Sequence, residues 1–143
     1  MKFFVPYDGS RLAVAALERA QQLCGESDVD VVVATVVPND RDYAIEQGWM
    51  SEDEAFDADS IETTLREQVR DIAPDAEFRC LKSHSYASAG SIATRLRDIA
   101  TEMDADAVFL GSENVGSIAA PVSSIGSNVA TRVPYDIYLV QNP

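Results

Sequence analysis

Residues 29–37, VDVVVATVV, constrain the fold more than any other stretch of this chain. A run so rich in β-branched residues, with so little polar alternation, suits a strand covered by protein on both faces. Such strands belong to parallel sheets, whose crossover connections lay helices over both surfaces. The flanking segments should therefore carry amphipathic helices and further strands.

Residues 2–7 are a shorter apolar run closed by Pro6 and the turn pair Asp8-Gly9, after which Ser10 is placed to cap a helix. In that helix Ala13, Ala16, Leu17, Ala20, Leu23 and Cys24 recur at helical spacing, and Gly25 is placed to end it. Pro38 stops the second strand. Residues 39–50 are polar and acidic, and Ser51 and Glu54 then stand at capping-box spacing before a long helix striped by Ala58, Ile61, Leu65, Val69 and Ile72. Pro74 marks its end. Residues 76–81 read as a third strand near an edge, and residues 91–103 as a helix facing inward through Ile92, Leu96, Ile99 and Met103. Residues 105–110, ADAVFL, read as a fourth strand, 127–132 as a short helix and 135–140, YDIYLV, as a fifth strand.

Strand and helix thus alternate, with one strand to roughly every thirty residues. Right-handed crossovers turn that alternation into an α/β fold, an open five-stranded parallel sheet with helices on both faces. A length of 143 residues, 46% of them apolar, suits one domain over residues 1–143. Winding outward from the first strand and then reversing gives the order 3-2-1-4-5. Ligands in such sheets bind beyond the carboxyl ends of the strands, where the winding reverses.

Charge narrows the choice of ligand and partner. There are 24 acidic against 11 basic residues, a net charge of −13, and Lys2 and Lys82 are the only lysines. This argues against a nucleic-acid partner held through phosphates. It fits a salt-adapted, halophilic protein, because hydrated carboxylates keep a surface soluble where salt screens their repulsion. The apolar run at residues 2–7 is too short for a signal peptide or a membrane span, so a cytoplasmic location and no membrane are expected. Cys24 and Cys80 lack metal-ligand spacing and read as two small buried hydrophobes. His84 is the only histidine, with no acidic neighbour and no nucleophile elbow to serve, so no catalytic residue and no metal ligand is assigned.

The first and fourth strand tips, Pro6-Tyr7-Asp8-Gly9-Ser10 and Gly111-Ser112, flank the crevice this fold implies. An acid at the first tip suits the hydroxyls of a sugar, and equally suits a turn that caps the next helix. Beyond the fourth tip lies GSENVGSIAAPVSSIGSNVA, residues 111–130, with three glycines, five serines and no basic residue. Gly126-Ser127 opens the last helix, where free N–H groups and a hydroxyl can hold phosphate oxygens or simply form an N-cap.

Taken together, PYDGS after the first strand, VVVATVVP in the second, and G-x9-GS before a last short helix and strand resemble the universal stress protein family along the whole chain. The resemblance implies the adenine-nucleotide alpha hydrolase-like, Rossmann-like fold and, as in some members, ATP in the strand-tip crevice. It implies that Asp8 meets the ribose, Pro6 the adenine edge and Val36 the adenine face. Gly111 lies near the ribose, and Gly116, Gly126, Ser127 and Asn128 line the phosphates. One departure stands out. The family pattern is G-x2-G-x9-G-[ST], but the residue three before Gly116 is Glu113, and Gly111 lies five before it. A carboxylate beside a triphosphate costs about 1 kcal/mol or more unless a divalent cation such as Mg or Mn intervenes, so either Glu113 points to solvent, or it helps hold a metal, or ATP binding is weakened or absent.

Three functional readings follow. One is a stress-response module regulated by a bound adenine nucleotide, with at most slow hydrolysis, since only Asp8 and Glu113 are near as bases. Another is a nucleotide-free interaction protein. A third is an enzyme of adenylate chemistry, disfavoured because no lysine or arginine lies between Arg97 and Arg132. The apolar strand from Tyr135 to Val140 has nothing in the sequence to cover its edge, so a homodimer through it is expected. The segment from Tyr43 to Phe56 is read either as a lid over the crevice or as a loop seated by its aromatics.

Overall fold

A computed structural model describes residues 1–25, 28–84, 86, 88–112 and 133–143. Five strands run β1 (Lys2–Pro6), β2 (Asp30–Pro38), β3 (Glu77–Ser83), β4 (Ala107–Gly111) and β5 (Asp136–Val140). Between them lie α1 (Arg11–Cys24), α2 (Arg41–Glu46), α3 (Ala58–Ile72) and α4 (Ala89–Glu102). Every pairing is parallel and the order is β3-β2-β1-β4-β5, as the alternation of runs predicts. The expected helix at 127–132 lies outside the described residues.

The valine-rich run behaves as a doubly covered strand. Val31, Val33 and Val37 enter one apolar cluster with Leu17, Leu65 and Val69 of α1 and α3. Val32, Ala34 and Val36 enter the other with Leu96, Ile99 and Met103 of α4. The outward crossovers β1-α1-β2 and β2-α3-β3 thus share one face, and the returning crossover β3-α4-β4 takes the opposite face. That reversal puts the switch point between the tips of β1 and β4.

Local signals set most element ends. Ser10 caps α1, its hydroxyl accepting the Ala13 N–H at 3.2 Å, and Gly25 at φ 55° takes the chain out of the helix. Pro38 is the last residue of β2 rather than the first beyond it. The ladder continues because the Asn39 N–H, one residue on, donates to Ser83 O at 2.9 Å. This also draws β3 two residues past the expected Leu81. α4 starts at Ala89, ahead of the expected Ser91, because the Ser88 hydroxyl accepts the Ser91 N–H at 3.0 Å. β4 starts at Ala107, after the expected Ala105, because the Ala105 N–H returns to Ala100 O behind Asp104 at φ 55°.

The capping box at Ser51 does not open a helix. In such a box the serine oxygen takes the N–H three residues on, whereas here the Glu54 N–H bonds the Ser51 carbonyl and the Ser51 hydroxyl is spent on the Glu54 carboxylate. The helix waits for Asp57, whose Oδ1 accepts the Asp59 and Ser60 N–H groups at 3.0 and 3.4 Å. The cysteines are half-buried free thiols, not fully buried hydrophobes. Burial, followed by the Glu62 charge, pushes the Cys80 thiol up to about 11, which makes it a poor nucleophile. Among the described residues no helix is long and apolar enough to cross a membrane.

Candidate functional site

The β1 tip is fixed to β2 before it turns. The Tyr7 N–H donates to Ala34 O at 2.8 Å, and the buried Thr35 hydroxyl donates to Tyr7 O at 2.6 Å. The chain then reverses at Gly9, whose φ of +81° only glycine adopts without strain. Asp8 stands at this reversal, half-buried, and its Oδ1 accepts the Ser10 N–H at 2.9 Å. The turn role is therefore real, although Ser10 and not Asp8 caps α1. No described residue donates a hydrogen bond to Asp8 Oδ2. That oxygen is a pure acceptor, suited to a hydroxyl or an N–H from outside.

The other expected site residues divide into two groups. Pro6 is buried at the end of β1 opposite Ala34, Val36 is 4% exposed in the α4-side cluster near the β2 tip, and Gly111 ends β4. With Asp8 they gather at the carboxyl edge of three adjacent strands. Gly116, Gly126, Ser127, Asn128 and Glu113 lie outside the described residues. Gly111 has a packing reason of its own. A Cβ there would stand 2.6 Å from Leu12 Cβ and 3.0 Å from the Leu12 carbonyl carbon, so α1 crosses the β4 tip in the space a side chain would need.

The feature sequence reading missed is the partner of the Asp8 backbone. The Trp49 indole N–H donates to Asp8 O at 2.7 Å, and the Tyr43 ring meets the indole edge-on with centroids 5.6 Å apart. Ala44 and Met50 are buried on either side, so the segment after β2 is seated on the domain. It does not form a free lid. The short helix α2 does the seating, opened by Asp40, whose Oδ1 accepts the Tyr43 N–H at 3.1 Å. Its signals, Asp40 as a cap and aromatics in a polar stretch, were present but lacked an apolar period. Behind Trp49 lies a cavity of about 80 Å³ lined by Asp8, Gly9, Gly48, Trp49, Leu65 and Gln68 among others.

Two phenols attend Asp8. Burial, then the Asp8 charge, pushes both Tyr7 and Tyr43 up to about 12, so both remain neutral donors through the physiological range. The Tyr7 hydroxyl donates to Gln68 Oε1 at 2.8 Å and so ties β1 to α3. Among the described residues no three His, Cys, Asp or Glu side chains are grouped to hold a metal ion. His84 is exposed, one residue past the end of β3.

The fold and tip define a doubly wound α/β domain whose winding reverses between the tips of β1 and β4. The universal stress protein family model matches residues 1–141, and the chain belongs to that family. Solved structures carry the same fold. The universal stress protein from Archaeoglobus fulgidus in complex with dAMP is 19% identical, with a TM-score of 0.59 over 99% of this chain and 98% of that one. A universal stress protein in complex with cAMP is 21% identical, with a TM-score of 0.56 over 99% and 97%. A family member from Burkholderia pseudomallei is 18% identical, with a TM-score of 0.55 over 97% and 94%. No curated protein sequence matches the chain.

Proposed function

We propose that this chain is a single domain, residues 1–143, that binds ATP or a related adenine nucleotide in the strand-tip crevice and acts as a nucleotide-dependent stress-response module. The observation carrying this reading is the Asp8 Oδ2, without a donor among the described residues, at the switch point between β1 and β4. Neighbours of the same fold holding dAMP and cAMP support the choice of an adenine nucleotide. Pro6 and Val36 border the base, Asp8 the ribose, and Gly116, Gly126, Ser127 and Asn128 the phosphates. Mg or Mn offsets the charge of Glu113.

Thermal unfolding with ATP, with and without Mg²⁺ or Mn²⁺, tests it. At a hundredfold excess over its dissociation constant a ligand adds about 2.7 kcal/mol, a midpoint rise on the order of 10 °C for a domain of this size. Gly126→Val should remove that rise. The packing of Gly111 on Leu12 favours one competing reading, a nucleotide-free interaction protein, because it accounts for that glycine without a ligand. No shift with any nucleotide or metal would favour that reading.

We also propose that the protein works as a homodimer in high salt, the condition its charge suits. Supporting this, β5 is an edge strand whose Tyr138 and Leu139 are 36% and 39% exposed. Light scattering in molar salt should give twice the chain mass, and a monomer there would refute the pairing.

A further inference from the structure

We propose that Trp49 is a positioning residue for sugar recognition: its indole N–H, bonded to the Asp8 carbonyl, locks the Asp8-Gly9 peptide and so fixes how the Asp8 carboxylate is presented to a ribose. The inference rests on the nucleotide reading of the crevice and adds to it the determinant of sugar class.

The Asp8-Gly9 peptide is the one link at this tip that needs an external lock. The backbone before it is held by the hydrogen bonds to Tyr7 N and Tyr7 O, and the backbone after it by Ser10, whose N–H is taken by Asp8 Oδ1. Between them stands Gly9 at φ +81°, a residue that tolerates either orientation of the preceding peptide plane. A flip there would move the Asp8 carbonyl away from Trp49 and change the ψ of Asp8, which sets the direction in which the turn holds its carboxylate. The 2.7 Å bond from Trp49 opposes that flip.

Trp49 is itself held well enough to act as a lock. Its own N–H donates to Ala44 O at 2.9 Å, following Gly48 at φ +77°, which turns the chain back at the end of α2. Met50 behind it is buried, and Tyr43 bears on the indole edge-on. Little rotamer freedom is left to lose on ligand binding, which is the condition for preorganised recognition. Burial first, and then the Asp8 charge, raises both the Tyr7 and the Tyr43 phenols.

The consequence is selectivity between sugars. A fixed carboxylate oxygen accepts hydrogen bonds from ribose hydroxyls and is left unpaired when one is missing, whereas the phosphates feel no difference. Isothermal titration calorimetry with ATP, 2′-deoxyATP and 3′-deoxyATP measures this. The wild-type protein should prefer ATP over at least one deoxy analogue by about tenfold, the typical worth of a hydrogen bond to a charged group. Trp49→Phe, which keeps an aromatic ring against Tyr43, should bring the ratio towards one by weakening ATP alone. The benzothienylalanine isostere at position 49 replaces the N–H with sulfur and preserves the packing, so it serves if the phenylalanine variant folds poorly.

Equal weakening of all three nucleotides, or an unchanged ratio in the isostere, would mean that Trp49 is only structural and would overturn the inference. A wild-type protein that binds all three equally would overturn it through Asp8. Binding of none would refute the nucleotide reading and this inference with it, an outcome distinct from the others.

Discussion

Phe4→Ala is expected to destabilise the protein by about 3–5 kcal/mol, the cost of removing a large aromatic ring from a core that cannot collapse around the loss. Phe4 has no exposed surface and sits on the central strand, in register with Val32 of β2 on one side and Val108 of β4 on the other. Its ring belongs to the cluster formed with Leu96, Ile99, Ala100 and Met103 of α4. Both neighbouring strands are themselves covered, so the backbone has little room to move inward. Total stabilities of such domains are about 5–15 kcal/mol, which makes this a large share. Urea unfolding should show the loss as a lower midpoint at unchanged slope. Phe4→Leu, which keeps most of the volume, should cost about 1 kcal/mol. A loss below about 1 kcal/mol for Phe4→Ala would mean that β1 is not the centre of the sheet.

The strands and the helix faces were legible because burial on two sides leaves a compositional mark. VDVVVATVV has no polar alternation to confuse with a half-exposed strand, and its residues do divide between the two clusters. The helices α1, α3 and α4 repeat their apolar residues with one period, so their faces were readable even where their ends were not. Ends are set by single hydrogen bonds. Whether Ser51 or Asp57 caps α3 depends on which acceptor the Glu54 N–H takes, and composition at residues 51–57 does not encode that.

The site was legible only in part, for a related reason. Asp8 and Gly9 announce a turn at the end of a strand, and the topology then gives that turn its importance. The bond from Trp49 to Asp8 joins residues 41 positions apart. It involves a backbone carbonyl, a group every residue has, so no residue type marks the partner. A lone tryptophan in a polar acidic segment raised the right question, and only the packing of Ala44 and Met50 answers it. Lys82 shows the same limit. It is one of two lysines in the chain, and it joins Asp59 and Glu62 of α3 from the β3 edge, a pairing invisible until both elements are placed.

Gly111→Ala is expected to destabilise the ligand-free protein by about 1–3 kcal/mol, the usual cost of forcing a methyl group into a filled site. The new Cβ would meet Leu12 Cβ at 2.6 Å, Leu12 C at 3.0 Å and Leu12 O at 3.2 Å, all on or next to the backbone of α1. That helix cannot easily retreat, since Ala13, Ala16, Leu17 and Ala20 are buried in the same cluster as Val5 and Phe109. Nor can Gly111, which lies opposite Val140 in the β4-β5 ladder. Gly90→Ala is the natural comparison. Gly90 lies in α4 with nothing within 4 Å of the place a methyl group would take and no positive φ, so alanine there should stabilise by about 0.4–1 kcal/mol. Thermal or urea unfolding of the two variants without nucleotide should move in opposite directions. If Gly111→Ala instead leaves stability unchanged and lowers only ATP affinity, then close approach of a ligand, not of α1, is what the glycine serves. If stability falls as the Leu12 contact requires, weakened ATP binding in that variant is no evidence for a ribose contact at Gly111, and the sugar must be sought at Asp8.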